Sequence, residues 1–159
     1  MERAVGGFTL VEILIVVVIL GITAAIVVPQ FTDCTVISRE TNLKENLSKI
    51  RAHIQVYRAQ HAGWPHGDQL GDQLTKCTNF HGEVSDTRTA DHRYGPYIEQ
   101  MPPNPVGGVR TVRVSLDPAE YFPPGDADGG WWYNQATGRF YADLTDAHVD
   151  VYGGAYNRY

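Results

Sequence analysis

The chain lacks most of the features on which enzymes and nucleic-acid-binding proteins depend. It contains no Gly-x-Ser-x-Gly motif and no phosphate-binding loop, and its six histidines have no recognised metal-ligand spacing with a carboxylate. The formal net charge of −5 argues against a nucleic-acid partner. Cysteine occurs only at Cys34 and Cys77, and a disulfide between them is permitted if the chain is exported. We therefore predict neither catalysis nor nucleic-acid binding, and leave the disulfide open.

Charge is also scarce near the start of the chain. Glu12 is the only charged residue between Arg3 and Asp33. Counted from Phe8, the apolar segment to Val28 has 21 residues, or about 31 Å of α-helix, which matches the bilayer core of roughly 30 Å. In lipid only a helix satisfies all backbone groups within one segment, so we predict a membrane helix. A carboxylate in such a segment is costly and usually marks function.

Residues 6–12, which read GGFTLVE, resemble the type IV prepilin signal shared by type IV pilins and the pseudopilins of type II secretion. The resemblance implies that a prepilin peptidase removes residues 1–7 by cutting after Gly7, and that Phe8 is then N-methylated. Two other interpretations of the apolar segment stay open. One is an ordinary signal peptide cleaved near residues 23–25, and the other is an unrelated membrane anchor.

The same resemblance gives roles to residues inside the segment. Glu12 matches the family's acidic residue, and we expect it to act in assembly by accepting a charge-assisted hydrogen bond from the amine of Phe8 in the next subunit. Pro29 matches the proline that kinks the family's long helix, and Gly21 is a second position where the helix would bend. Alternatively, Gly21 allows close helix packing and Pro29 only marks the membrane exit.

A second helical pattern follows the apolar segment. No proline or glycine occurs between Phe31 and His61, and one apolar stripe recurs mostly at three- and four-residue steps: Ile37, Leu43, Leu47, Ile50, Ile54 and Tyr57. Together the two patterns predict one helix of about 50 residues. The predicted parts are a leader at 1–7, a transmembrane or filament-core helix at 8–29, an amphipathic stalk at 30–61 and a globular head at 62–159.

The head is predicted to combine strands with the long helix in an α+β fold. Residues 109–114 alternate as a strand does, and residues 130–133 and 139–143 form a second and a third strand. The glycine-containing loop at 134–138 predicts a hairpin between the last two. The hairpin aromatics would pack the sheet on the stalk, or would form a substrate-binding platform. The resemblance implies a type IV pilin-like fold, with the long helix packed on a small antiparallel sheet.

One acidic stretch has part of the pattern of a calcium loop. Asp126 and Asp128 alternate ahead of two glycines, but the further acids and the closing glutamate of an EF-hand are missing. The resemblance to major pseudopilins implies calcium in the C-terminal β region, whereas the residues themselves favour a solvated turn. We expect no cofactor, with calcium at Asp126 and Asp128 as the alternative.

Short turn-rich segments extend the resemblance to the major pseudopilin: GWP at 63–65, YGPYI at 94–98 and MPPNP at 101–105. Type IV pilins often close a C-terminal loop with two cysteines, but no cysteine follows Cys77, which favours a pseudopilin. The resemblance implies a precursor in the bacterial inner membrane with its head in the periplasm. Its implied partners are membrane lipid, further copies of the chain, the prepilin peptidase, the inner-membrane platform and the assembly ATPase machinery.

The expected function is that of a subunit of a periplasmic pseudopilus that drives protein export. A subunit of a type IV pilus or DNA-uptake pilus is the first alternative. A membrane-anchored binding module is the second. The presence of Glu12 argues against a minor initiating subunit, which often lacks that residue.

Overall fold

The computed structural model describes residues 7, 9–123, 126–150 and 152–159, and it describes only the backbone of residues 27–34. The chain divides into two compact units, Met1–Ser38 and Arg39–Tyr159.

Helix α1 extends from Leu10 to Gln60 and has 51 residues, which confirms the single long helix expected from the two patterns. Within the described residues, no helix is both long enough and apolar enough to cross a membrane. The predicted segment 8–29 includes Phe8 and the side chains of 27–29, which lie outside the described residues, and it stays a prediction. The predicted leader also lies outside them, except for Gly7.

The second unit starts with the part of α1 that carries the apolar stripe. Five of the six stripe residues are buried in its core: Leu43, Leu47, Ile50, Ile54 and Tyr57. The prediction was wrong for Ile37, which is 53% exposed and belongs to the first unit. Burial begins instead at Glu40, whose carboxylate forms an ion pair of 2.6 Å with Lys44 one turn later. The stripe residues are therefore buried only within the second unit.

Short elements follow the end of α1. Their bounds are a 3₁₀ turn at Gly67–Gln69, helix α2 at Leu70–Thr75, strand β1 at Cys77–Thr78 and strand β2 at Val84–Ser85. Strands β1 and β2 pair antiparallel. Buried His61 connects α1 to β1, because its Nδ1 lies 2.8 Å from the carbonyl oxygen of Tyr57 and its Nε2 lies 2.9 Å from Oγ1 of Thr78. The ring of His61 also stacks on that of Tyr57 at 3.7 Å.

The main sheet consists of β3 at Val112–Ser115, β4 at Trp131–Asn134 and β5 at Arg139–Ala142, in the order β3-β4-β5. Strands β4 and β5 form the predicted hairpin, with Asn134 opposite Arg139. Strand β3 pairs parallel with β4, with Val112 opposite Trp131, so the sheet is mixed where we predicted an antiparallel one. The connection between β3 and β4 is long enough to return the chain to the same end of the sheet, which a parallel pair requires.

The hairpin aromatics are core residues. Trp131, Trp132, Tyr133 and Phe140 are buried, and Tyr141 is half-buried, so these side chains do not form an exposed platform. Nε1 of Trp131 donates to the carbonyl of Pro102 at 2.9 Å, and Oη of Tyr133 donates to that of Pro65 at 2.9 Å. These bonds tie the segments 63–65 and 101–105 to the sheet. The fold is α+β and type IV pilin-like, as predicted.

Candidate functional site

The first turn of α1 holds the carboxylate that stands out in the sequence. The backbone N–H and Oγ1 of Thr9 both donate to Oε2 of Glu12, at 2.8 and 2.7 Å. In return, the backbone N–H of Glu12 donates to Oγ1 of Thr9 at 3.2 Å. This arrangement is a capping box, in which the residue before a helix and the third residue of the helix satisfy each other's backbone donors.

The capping box gives Glu12 a hydrogen-bond partner within its own chain. A carboxylate in apolar surroundings is costly unless it is hydrogen-bonded, and hydrogen bonds to an ionised group are stronger than those between neutral groups. Sequence reasoning missed Thr9 as this partner. The signal was present, because Thr-x-x-Glu ahead of an apolar run is a known pattern for the start of a helix.

The two glycines of this region have no structural requirement that the described residues explain. A Cβ placed at Gly7 or at Gly21 would meet no atom within 4 Å. Gly21 does not have a positive φ angle. Phe8 lies outside the described residues. The backbone of α1 is helical at Pro29, whose side chain is not described, and the predicted kink stays a prediction.

The apolar side chains at the start of α1 are exposed on every side of the helix. Among the large ones between Leu10 and Ile26, exposure ranges from 49% at Val16 to 82% at Leu10. The polar Thr23 is satisfied locally, because its Oγ1 lies 3.0 Å from the carbonyl oxygens of Ile19 and Leu20. A helix that is apolar all round requires apolar surroundings.

An arginine organises the acidic stretch in the second unit. Arg113 of β3 donates to Oδ1 and to the backbone carbonyl of Asp126, at 3.0 and 3.2 Å, and to Oδ1 of Asp143 at 2.8 Å. Asp128 accepts a hydrogen bond of 2.9 Å from the N–H of Gly130. Among the described residues, no group of three or more His, Cys, Asp or Glu side chains is arranged to hold a metal ion. The two calcium candidates thus lie beside a cation of the chain itself.

The same arginine affects the ionisation of its partners. Hydrogen bonding from Arg113 lowers the pKa of Asp126. Burial raises the pKa of Asp143, and the contact with Arg113 opposes that rise. Asp143 has a relative exposure of 0%, so its charged form depends on the guanidinium.

The structure describes the side chain of one of the two cysteines. Cys77 lies in β1 and is buried, with 7% of its surface exposed. The side chain of Cys34 lies outside the described residues, so a disulfide between them stays a prediction.

Known proteins are similar to this chain at its N-terminal segment and over most of its length. The prokaryotic N-terminal methylation motif matches residues 3–28. The type II secretion system core protein G of Pseudomonas aeruginosa is 30% identical over 124 residues, which are 78% of this chain and 78% of the relative. The chain belongs to the type II secretion system core protein G family. A second member, from Vibrio cholerae, is 30% identical over 125 residues, which are 78% of this chain and 75% of the relative.

Similarity to a pilin covers less of the chain than similarity to the core protein G family. The type IV narrow pilus major component PilA5 of Thermus thermophilus is 39% identical over 64 residues, which are 40% of this chain and 55% of the relative. No solved structure gives a significant match. The core protein G relatives therefore account for more of the chain than this pilin does.

Proposed function

We propose that the chain is the precursor of a major pseudopilin, with a structural rather than a catalytic role. The similarity to core protein G over 78% of the chain carries this proposal. The mature subunit assembles into a periplasmic pseudopilus whose growth drives protein export. The inner-membrane platform and the assembly ATPase machinery supply the work of assembly.

The exposed apolar part of α1 supports an inner-membrane location for the precursor, with the head in the periplasm. Lipid covers these side chains before assembly, and a helix satisfies its own backbone groups there. After extraction from the membrane, the same side chains pack against the helices of neighbouring subunits. One apolar surface thus serves both states.

The environment of Gly7 supports cleavage by a prepilin peptidase. Glycine at this position is not required by any contact in the described structure, and the residue is exposed. A small residue leaves the backbone open to a peptidase site. Cleavage after Gly7 then creates a charged amine on Phe8, which is N-methylated.

Glu12 changes its partner during assembly. In the precursor, the two donors to its carboxylate among the described residues both belong to the uncharged Thr9. The amine of Phe8 would be created four residues before Glu12, at a point where Thr9 already donates to the carboxylate of the same chain. A staggered neighbour brings its amine to the carboxylate, and the ion pair forms where water is excluded. The favourable free energy of that ion pair promotes the addition of each subunit.

A subunit of a type IV pilus or DNA-uptake pilus is the second candidate. The similarity to PilA5 favours it, although that similarity covers only 40% of the chain. A membrane-anchored binding module has less support, because Trp131, Trp132, Tyr133 and Phe140 are buried in the core.

Deletion of the gene in its host, followed by complementation with the intact chain, tests the proposal. We expect export of secreted proteins to the medium to stop and to be restored, while twitching and DNA uptake continue. Normal export combined with loss of twitching or of transformation would overturn the proposal in favour of a type IV pilus. Quantifying filaments sheared from cells that overexpress the restored chain checks that it assembles.

A further inference from the structure

Arg113 connects three parts of the head that are distant in sequence. It lies on β3, which is at the edge of the main sheet. Its Nη1 reaches Asp126, in the connection that leads to β4, at 3.0 Å. Its Nη2 reaches Asp143, the residue directly after β5, at 2.8 Å. One guanidinium therefore fixes the edge strand, the connection and the end of the hairpin relative to one another.

The oxygen atoms around this guanidinium are of the kinds that calcium prefers. They are carboxylate oxygens of Asp126 and Asp143 and the backbone carbonyl oxygen of Asp126. Calcium takes six to eight such ligands in proteins. A calcium ion among them would have to displace the guanidinium from Asp143. The remaining candidate, Asp128, is hydrogen-bonded to the backbone of its own turn through Gly130.

We propose that Arg113 is the internal cation of this head and takes the place that a bound calcium ion would otherwise have. The head then folds without calcium, although the resemblance to major pseudopilins implies that ion in the C-terminal β region. This inference goes beyond the proposed function, and it applies equally to a pseudopilus and to a pilus subunit.

The contact with Asp143 is the more important of the two ion pairs. The side chain of Asp143 is 0% exposed, whereas that of Asp126 is 79% exposed and its pair is screened by solvent. Removing Arg113 would leave a buried carboxylate without its counter-ion, which is strongly destabilising. The same loss would release the end of β5 from the edge strand.

Thermal unfolding of the full chain in a non-ionic detergent tests the calcium part of the proposal. Tryptophan fluorescence follows the head, because Trp131 and Trp132 are buried in β4. Melting is compared in a calcium chelator, in calcium at about 10 mM, roughly tenfold above the Kd of weak extracellular sites, and in equal magnesium. We expect the same midpoint in all three. A rise of several degrees that is specific to calcium would overturn the proposal.

Substitution of the arginine tests the structural part. We expect Arg113→Gln to lower the midpoint by about 10 °C or more, since it leaves Asp143 unpaired. Arg110→Gln removes an exposed arginine nearby and should leave the midpoint unchanged. Equal midpoints for the two variants would contradict the proposal.

A double variant keeps the test decisive if Arg113→Gln fails to fold. Combining it with Asp143→Asn removes the buried charge that the first substitution leaves unpaired. We expect Arg113→Gln/Asp143→Asn to accumulate better and to melt at a higher temperature than Arg113→Gln alone. A double variant no more stable than the single one would show that the charge of Arg113 is not what the head requires.

Discussion

Thr9 donates two hydrogen bonds to the carboxylate of Glu12, one from its backbone N–H and one from Oγ1, at 2.8 and 2.7 Å. The carboxylate of Glu12 is therefore hydrogen-bonded within its own chain. The relationship also holds the carboxylate at the N-terminal end of α1, where the proposed cleavage would create a new amine. Thr9 thus caps the helix and positions the carboxylate that we propose acts in assembly.

Replacement of Thr9 should loosen the first turn of α1. Thr9→Val keeps the shape of the side chain but removes the hydroxyl, and loss of an N-cap costs about 1 kcal/mol. We expect faster hydrogen exchange at the amide of Glu12, measured by NMR of the full chain in detergent micelles. Thr9→Ser retains the hydroxyl and should exchange as the unsubstituted chain does. Equal exchange in all three proteins would show that the capping box does not hold the turn.

Replacement of Glu12 should prevent assembly but not membrane insertion. In Glu12→Gln or Glu12→Val, each incoming amine of Phe8 would be buried without a counter-ion, which is strongly unfavourable. We expect the protein in the membrane fraction and no sheared filaments when it is overexpressed together with the assembly machinery. Glu45→Gln, on an exposed part of the same helix, should assemble normally. Filaments of normal yield from Glu12→Val would refute the pairing.

Substitution at the cleavage site should block processing. Gly7→Leu places a bulky side chain where the peptidase needs access to the backbone, so we expect only the uncut precursor by intact-mass analysis. Gly21→Leu changes a glycine far along the helix and should still be cut after Gly7, giving a methylated Phe8. A mature N-terminus near Ala25 in the unsubstituted chain would instead establish an ordinary signal peptide.

The fragment of residues 31–159 should fold without the apolar segment, because the second unit has its own core. Leu47→Ala or Ile54→Ala should lower the free energy of unfolding by about 2–5 kcal/mol, since both side chains are fully buried. Ile37→Ala is the matched control, and its exposed side chain predicts a change within about 0.5 kcal/mol. Urea denaturation measures all three. Equal effects at all three positions would contradict the assigned face of the stalk.

The stability of the same fragment should fall in mild acid because of His61. Burial lowers the pKa of His61, so the folded state favours the neutral ring. The unfolded chain therefore binds the proton first, and stability should be complete above about pH 7 and decline as the pH falls through the ordinary histidine pKa of about 6.5. Urea midpoints between about pH 5 and 8 measure this dependence. His61→Gln should reduce the pH dependence of the urea midpoint, and His53→Gln should not. An unchanged pH dependence in His61→Gln would exclude His61 as the cause.

Much of the architecture could be predicted from the sequence because the relevant patterns are local. The spacing of Leu43, Leu47 and Ile50 defines one face of a helix wherever that helix lies, and the absence of proline and glycine after Phe31 keeps it continuous. The glycine-containing loop before Arg139 predicts a hairpin for the same reason. The motif at residues 6–12 is local as well. Each of these signals depends on neighbours within a few positions along the chain.

Only the tertiary structure decided the features that join distant residues. Arg113 and Asp143 are 30 positions apart, and His61 and Thr78 are 17 apart, so no periodicity connects them. The parallel pairing of β3 with β4 depends on the path of the connection between them. The exposure of Ile37 depends on where the core of the second unit begins. The sequence by itself determined the long helix and the strands of the main sheet, because their patterns are local. Packing decided which charges meet, because long-range contacts depend on the whole fold.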